Sequence, residues 1–257
     1  MDTVTGATRT QMNGATAKGK LEIIAVAQYL FNCGFHAARA GNISLRMASD
    51  RVVCTCSGAD KSRIDIDDLI TCDLNGKVAD GSKPPTSELA MHLVCYRERR
   101  DVGAVIHAHP PIATAFAAAS TALDELALPE MVVLLGSVAL VPYATPGTTN
   151  LADQLRSYLP QHDAFLLENH GALSVGRDLW DAAQKMELIE QNARITLALR
   201  QIGQPFQLSE GQRQDLMSIR AQRNAAFQNH EASSADQQES TALQLTKSIA
   251  TRTDGAE

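Results

Sequence analysis

The sequence predicts a layered α/β or α+β domain, in which helices cover a β-sheet. Short apolar segments bounded by Gly, Asp or Pro alternate with longer segments whose apolar residues recur at helical spacing. Apolar residues make up 44% of the 257 residues and charged residues 20%, which is an ordinary globular composition. A chain of this length forms one substantial core or at most two small ones. The alternation does not determine the order of the strands, so it is consistent with an α/β and with an α+β arrangement of the sheet.

The first half of the chain contains two predicted helices and three predicted strands. Lys20–Cys33 is predicted to be helical because its apolar residues, such as Leu21 and Ile24, recur near a period of 3.6. A second helix is predicted to open at Thr86 or Ser87, which are good N-cap residues, and to end near Arg99. Short apolar runs predict strands at Asn42–Leu45, Arg51–Cys54 and Leu69–Cys72.

The second half continues the same alternation. A buried strand is predicted at Asp101–Ile106, ending at His107, and Pro110 and Pro111 suit the start of a following helix, Ile112–Ala119. Further strands are predicted at Met131–Leu135, Val138–Pro142, Ala164–Glu168 and Ala172–Val175. Two further helices are predicted at Asp178–Gln201 and Glu210–Arg223.

Both ends of the chain differ in composition from the middle. Residues 1–18 are rich in Thr, Gly, Ala and Gln without apolar periodicity, and they are predicted to be a disordered arm. Residues 228–257 are dominated by polar residues and lack aromatic ones, which predicts a disordered tail. The predicted folded domain is therefore 19–227, without an internal linker or repeat.

Charge and cysteine content narrow the class of protein. The net charge of −6 lacks the basic excess typical of nucleic-acid or anionic-membrane binding. We find no apolar stretch near the ~20 residues of a membrane span and no secretory signal pattern. The five cysteines are odd in number and irregularly spaced, so we expect reduced core thiols in a cytoplasmic protein.

Three histidines are candidate metal ligands. His107 and His109 are two residues apart at the end of an apolar strand, where alternate side chains point to one face. Catalytic zinc sites use such a pair with a third, distant ligand. His170 also follows an apolar strand and precedes Gly171, which lets the backbone turn closely around a site. Two unrelated strand-end histidines and a loop histidine are the alternative interpretation.

A carboxylate and two small-residue loops complete the candidate chemistry. Glu88 lies at the predicted start of a helix, where the helix dipole alone would favour it, and it is also a candidate base or metal ligand. His92 shares its face four residues later, which suggests a supporting or packing role. The loops 41–44 and 55–58 expose backbone N–H groups and hydroxyls that suit a phosphate, and plain turns are the alternative.

Six motifs in order give a resemblance to a known family. They are G-N-I-S (41–44), T-C-S-G (55–58), T-S-E (86–88), H-A-H-P (107–110), P-Y-A-T-P-G-T (142–148) and E-N-H-G (168–171). This set resembles the class II aldolase/adducin family, with L-fuculose-phosphate aldolase as the closest functional type. The resemblance covers about residues 20–205, which is nearly the whole predicted domain.

The resemblance implies a fold, an assembly and a set of site residues. The implied fold is a three-layer α/β domain with a central, largely antiparallel sheet, and the implied assembly is a C4 homotetramer with active sites between subunits. A divalent metal, zinc first and manganese or cobalt as alternatives, is implied at His107, His109 and His170. Glu88 is the implied acid/base and a fourth ligand in the resting state. The implied phosphate-binding residues are Asn42, Ser57, Gly58, Thr86 and Ser87.

The chain departs from the aldolase pattern at two places that bear on the reaction. The family's tyrosine before the P-Y-A-T motif is replaced in the segment Leu128-Pro129-Glu130-Met131, so Glu130 is a candidate second acid/base. Lys61, after the T-C-S-G motif, adds a candidate positive charge for an anionic substrate.

The expected function is therefore a metal-dependent carbon–carbon lyase. The resemblance implies cleavage of a ketose 1-phosphate to dihydroxyacetone phosphate and an aldehyde, through an enediolate whose charge the metal stabilises. The alternatives on the same scaffold are a decarboxylase, a dehydratase and, ranked last, an epimerase. A non-catalytic binding module such as the adducin head is a further alternative, and the retained histidines and Glu88 argue against it.

Overall fold

An eight-stranded sheet forms the centre of the fold. The structure is a computed structural model that describes residues 4–48, 50–123, 128–203 and 208–226. The strands are β1 (Asn42–Ala48), β2 (Arg51–Thr55), β3 (Leu69–Asp73), β4 (Val78–Asp80), β5 (Ala104–Ala108), β6 (Val138–Val141), β7 (Ala164–Leu167) and β8 (Gly171–Gly176). Their order in the sheet is β4-β3-β2-β1-β5-β8-β7-β6. Only the β6–β7 pair among these strands is parallel, which confirms the largely antiparallel sheet.

Helices cover both faces of this sheet, which confirms the α/β class. They are α1 (Val4–Asn32), α2 (Leu89–Glu98), α3 (Pro111–Ala118), α4 (Thr149–Arg156) and α5 (Leu179–Ile202). Helix α5 contacts both α1 and α3, and all three contact the sheet, whereas α2 contacts α4. The two faces alternate along β1, where Ser44 bonds to side chains of α2 and Leu45 lies against α1 at Gly19.

Several elements differ from the prediction. Residues Met131–Leu135 form a π-helical turn rather than a strand, and the Gly136 N–H donates to the Met131 carbonyl at 3.0 Å. Buried Met131, Val132 and Leu135 have helical spacing, and a short apolar run alone cannot distinguish a helix from a strand. Helix α1 begins at Val4 rather than Lys20, although the Thr- and Gly-rich residues 4–19 have low helix propensity.

The helix α2 also begins later than predicted, and two elements were missed. Its first helical residue is Leu89, and Glu88 is the N-cap. Helix α4 escaped prediction because it is short and its buried face consists of only Leu151, Ala152 and Leu155. Strand β4 was missed because its three residues are all exposed and show no apolar alternation.

The chain divides into two compact units, residues 1–207 and 208–257. The first unit contains the sheet and its helices. In the second unit, a helix spans 210–226, close to the predicted Glu210–Arg223. The predicted tail, 228–257, lies outside the described residues, and the proposed boundaries at 19 and 227 stay predictions. None of the helices in the described ranges combines the length and apolar character needed to cross a membrane. All five cysteines are free, and four are buried.

A buried carboxylate on α5 holds the start of α3. Glu190 is 2% exposed and accepts hydrogen bonds from the main-chain N–H groups of Ile112 (3.1 Å) and Ala113 (2.9 Å). The Arg194 Nε donates to its other oxygen at 2.8 Å. The first N–H groups of a helix have no partner within the helix, so this carboxylate replaces a local cap. It fixes the segment that directly follows His109.

Replacing Glu190 by alanine is expected to lower the free energy of unfolding by about 2–3 kcal/mol, because two buried N–H groups lose a charged acceptor. Urea unfolding followed by circular dichroism measures the change. The matched control is Glu98→Ala, which removes an exposed ion pair with Arg156 and should change stability by less than about 1 kcal/mol. Equal effects of the two substitutions would contradict a capping role for Glu190.

Candidate metal centre

The end of β5 delivers two of the three histidines. His107 lies inside the strand and pairs with Asn42 of β1 on one side and Leu173 of β8 on the other. His109 follows one residue after the strand ends, and its main-chain N–H donates to the Phe35 carbonyl at 2.9 Å. The predicted same-face arrangement therefore holds, although His109 itself is just beyond the strand.

The turn between β7 and β8 delivers the third histidine. Ala108 pairs with Ala172, so the end of β5 lies beside the start of β8. Asn169 adopts a left-handed conformation with φ of 52°, which turns the chain back and places His170 against the other two rings. Gly171 permits this approach, because a Cβ there would lie 2.3 Å from His109 Cδ2.

The three imidazoles converge on one point. One ring nitrogen from each of His107, His109 and His170 lies within 4.8 Å of the others. The Nε2 atoms of His107 and His109 are 3.1 Å apart. The His107 Nδ1–H donates to the Ala172 carbonyl at 2.8 Å, which leaves Nε2 as an electron-pair donor facing the other rings.

Burial keeps these histidines neutral, as ligands must be. Burial, followed by the neighbouring imidazoles, lowers the pKa of His107 well below its usual value. Burial also lowers the pKa of His109 to about 4, with His170 and the Lys61 ammonium adding to the shift. The pKa of His170 is likewise lowered by burial. A neutral imidazole is the metal-binding form, so the three histidines are in the protonation state that binds a metal cation.

Glu88 adds a carboxylate to the cluster. As N-cap of α2 it makes no side-chain cap bond, so its carboxylate is directed to the histidines. Its Oε1 lies 3.2 Å from His170 Nε2, and its Oε2 lies 3.4 Å from His107 Nε2. Asn42 Nδ2 donates to Oε2 at 2.8 Å. Three neutral imidazoles and one carboxylate form a donor set that fits zinc and similar divalent metals.

Of the two predicted loops, residues 42–44 belong instead to strand β1 and are buried, whereas 55–58 lies next to the loop that leads into α2. The Ser57 N–H donates to the Pro84 carbonyl at 3.0 Å, and the Thr86 N–H donates to the Thr55 carbonyl at 3.1 Å. Ser57, Gly58 and Ser87 are exposed, while Thr86 is buried and its hydroxyl accepts from the Glu88 N–H. Main-chain hydrogen bonds therefore join 55–57 to 84–86, while Asn42 and Thr86 are buried beside Glu88.

Lys61 and Glu130, the two candidate site residues at which the chain departs from the aldolase pattern, lie in different surroundings. Lys61 is 1% exposed, and its ammonium donates to the carbonyls of Ala59 (2.9 Å) and Arg39 (3.2 Å). Burial lowers the pKa of Lys61 to about 8. Glu130 is exposed immediately before the π-helical turn, and it is not a member of the histidine cluster within this chain.

Sequence reasoning missed a group of buried polar residues behind Glu88. His92 bonds to Asn42 and to Ser44 Oγ (2.7 Å), and Ser44 Oγ bonds to the Tyr96 hydroxyl (2.8 Å). The available signal was spacing: polar residues stand two apart on β1 and four apart on α2. Within α2 alone, this spacing indicates only that Glu88 and His92 share a face.

The fold and the site together define a class: a three-layer α/β protein with a three-histidine, one-carboxylate centre beside loops suited to an anion. The family described as Class II Aldolase and Adducin N-terminal domain matches residues 21–197. The chain belongs to this family, which confirms the resemblance. Lyase chemistry is therefore the general activity that its relatives support.

Three similar proteins illustrate the range within the family. The chain is 33% identical to an L-fuculose phosphate aldolase of Methanocaldococcus jannaschii over 69% of this chain and 95% of that protein. It is 29% identical to a 3-oxo-tetronate 4-phosphate decarboxylase of Haemophilus influenzae, over 69% of this chain and 86% of that protein. A solved L-fuculose 1-phosphate aldolase superposes with a TM-score of 0.73 at 30% identity, covering 78% of this chain and 95% of the other.

Proposed function

We propose that this protein is a divalent-metal-dependent aldolase that cleaves a ketose 1-phosphate similar to L-fuculose 1-phosphate. The convergence of His107, His109 and His170 with the Glu88 carboxylate carries the proposal. Zinc is the expected metal, and the expected assembly is a homotetramer in the cytoplasm. The similarity to a protein named L-fuculose phosphate aldolase supports the substrate class.

The residues of this chain divide the work of the proposed reaction. The metal, when bound, supplies Lewis-acid stabilisation of negative charge that develops on the substrate. His107, His109 and His170 would hold it. Glu88 moves the proton to and from the carbon beside the carbonyl, since its carboxylate lies at the cluster yet makes no helix-capping bond.

The substrate phosphate is proposed to lie along the loops beside Glu88. Exposed Ser57, Gly58 and Ser87, together with Thr86 and Asn42, supply hydroxyl, amide and main-chain N–H groups. Lys61 lies nearby with a buried positive charge. Glu130 is proposed as the second acid/base; it is exposed and is not a member of the three-histidine cluster, and we propose that it acts on a neighbouring subunit's site.

The second candidate function is decarboxylation of a β-keto acid phosphate. The similarity to a protein named 3-oxo-tetronate 4-phosphate decarboxylase favours it, as does the replacement of the aldolase tyrosine by the segment containing Glu130. Both reactions leave electrons on a carbon beside a carbonyl, so the same metal and the same Glu88 serve either one.

A substrate screen distinguishes the two candidates. Zinc-loaded protein is incubated with L-fuculose 1-phosphate, D-ribulose 1-phosphate and a panel of β-keto acid phosphates, and both dihydroxyacetone phosphate and CO₂ are assayed. We expect dihydroxyacetone phosphate from a ketose 1-phosphate, and no product after removal of the metal by a chelator. Release of CO₂ from a β-keto acid phosphate, with no cleavage of either ketose 1-phosphate, would replace the aldolase by the decarboxylase. A protein that binds no metal would exclude both.

A further inference from the structure

We propose that His92 is a positioning residue of the active site, which fixes the Glu88 carboxylate through Asn42. His92 is fully buried, and its ring bonds to Asn42 and Ser44 rather than to the three histidines. It stands in the middle of a hydrogen-bonded chain that runs from Tyr96 through Ser44, His92 and Asn42 to Glu88. The inference rests on the proposed function, because it concerns the residue proposed to move the proton.

The chain arises from matched spacing on two elements. Asn42 and Ser44 stand two residues apart on β1, so both side chains point to the face covered by α2. Glu88, His92 and Tyr96 stand four residues apart, at the N-cap of α2 and along one side of it. Two strand residues span about 6.7 Å and four helical residues about 6.0 Å. The polar groups of strand and helix therefore meet in alternation.

Each hydrogen bond in the chain has one possible direction. The Glu88 carboxylate only accepts, so Asn42 presents its Nδ2 to Glu88 and its Oδ1 to His92. His92 Nε2 must then carry the hydrogen. Burial lowers the pKa of His92 to about 3, so the ring is neutral and its Nδ1 accepts from the Ser44 hydroxyl. The Ser44 oxygen in turn accepts from the Tyr96 hydroxyl.

Because the chain is buried, its hydrogen bonds can take only this direction. All five residues are at most 8% exposed, so water cannot replace a lost partner and a reversed group would leave a buried donor or acceptor unpaired. The far end is anchored by Arg46, which lies over the Tyr96 ring at 5.0 Å and donates to the Tyr96 carbonyl. The near end is the Glu88 carboxylate, whose rotation is set by the Asn42 N–H.

The chain also refines the role of Asn42. The resemblance implies that Asn42 holds the substrate phosphate, whereas the structure engages its side chain at both ends with Glu88 and His92. A single side-chain N–H remains for a substrate. Asn42 therefore connects the phosphate loop to the proposed acid/base, and His92 prevents the Asn42 amide from turning over.

The tautomer of His92 provides a test that needs no turnover. In zinc-loaded protein labelled with ¹⁵N-histidine, long-range ¹H–¹⁵N spectra are expected to show His92 with its hydrogen on Nε2. The signal is assigned by its absence from His92→Gln protein. A hydrogen on Nδ1 would reverse the chain and overturn the proposal, whether or not the protein is an aldolase.

The activity test compares two substitutions of His92. His92→Gln keeps an N–H near the position of Nε2 and is expected to keep kcat within about threefold of the unsubstituted protein, whereas His92→Leu is expected to lower kcat on the order of tenfold to a hundredfold. KM and zinc content should change little, because neither substrate nor metal touches His92. Turnover is measured with L-fuculose 1-phosphate, or with the keto acid that releases CO₂. Equal kcat values for the two variants would overturn the proposal.

Alanine substitutions of two buried serines distinguish a positioning role of the hydrogen-bonded chain from a purely stabilising one. Ser44 and Ser174 are both fully buried strand residues whose hydroxyls make hydrogen bonds, and the Ser174 hydroxyl donates to the Ala182 carbonyl on the opposite face of the sheet. Both alanine variants should lose similar thermal stability. Only Ser44→Ala is expected to lower kcat, by several-fold. Similar kcat losses in both variants would show that the chain merely stabilises the fold. A protein without any activity would contradict the proposed function. The tautomer of His92 would still test whether His92 positions Asn42 and Glu88.

Discussion

Glu88→Gln protein is expected to fold normally and keep its zinc while losing turnover by about 10²- to 10⁴-fold in kcat. Glutamine has nearly the same shape, and its oxygen can accept the Asn42 N–H that the carboxylate accepts at 2.8 Å. The three histidines that are proposed to hold the metal are unchanged. The substitution removes only the ability to take up and release a proton at this position.

The measurement for Glu88→Gln is kcat at equal zinc content. The control is Glu98→Gln, at the other end of α2, where the carboxylate is exposed and pairs with Arg156. The control should retain full activity. Retained activity in the Glu88 variant would show that another group moves the proton, with Glu130 as the next residue to substitute.

Gly171→Ala is expected to weaken zinc binding by about 10- to 100-fold, the range typical of a disturbed ligand orientation. A Cβ at this position would lie 2.3 Å from His109 Cδ2 and 2.8 Å from the Ala108 carbonyl oxygen. The carbonyl belongs to the β5–β8 pairing and cannot move without breaking it. The His109 ring must therefore turn away from His107 and His170.

Competition with a chromophoric chelator measures the zinc affinity of the Gly171 variant. Gly14→Ala is the control, since a Cβ at Gly14 would meet nothing within 4 Å. It should leave zinc affinity unchanged and stabilise α1 slightly. Unchanged affinity in Gly171→Ala protein would mean that His109 is not a ligand.

The local patterns explain why much of the site could be predicted from sequence. A histidine pair at the end of an apolar strand and a histidine before a glycine are both signals contained within a few residues. The structure brings these three histidines together because β8 pairs with β5 and begins directly after His170. Their ligand role stays a prediction, which metal binding by the protein will test.

Features that depend on distant partners could not be predicted in this way. The buried chain behind Glu88 exists because α2 lies over β1, which is about 46 residues away along the sequence. The π-helical turn at Met131–Leu135 shows the same limitation, since its apolar residues fit a strand until the surrounding packing is known. Helix α4 depends on α2 in the same way, because its own apolar face is narrow.

The two edges of the sheet limit how copies of this chain can meet. The edge strands β4 and β6 have three and four residues, and the pairing of β4 with β3 shifts register between Thr71 and Cys72. Short, irregular edges are poor templates for adding a further strand. A homotetramer would therefore form through side chains of helices and loops rather than by a sheet continuing between subunits, so its dissociation should leave the strands of each copy intact.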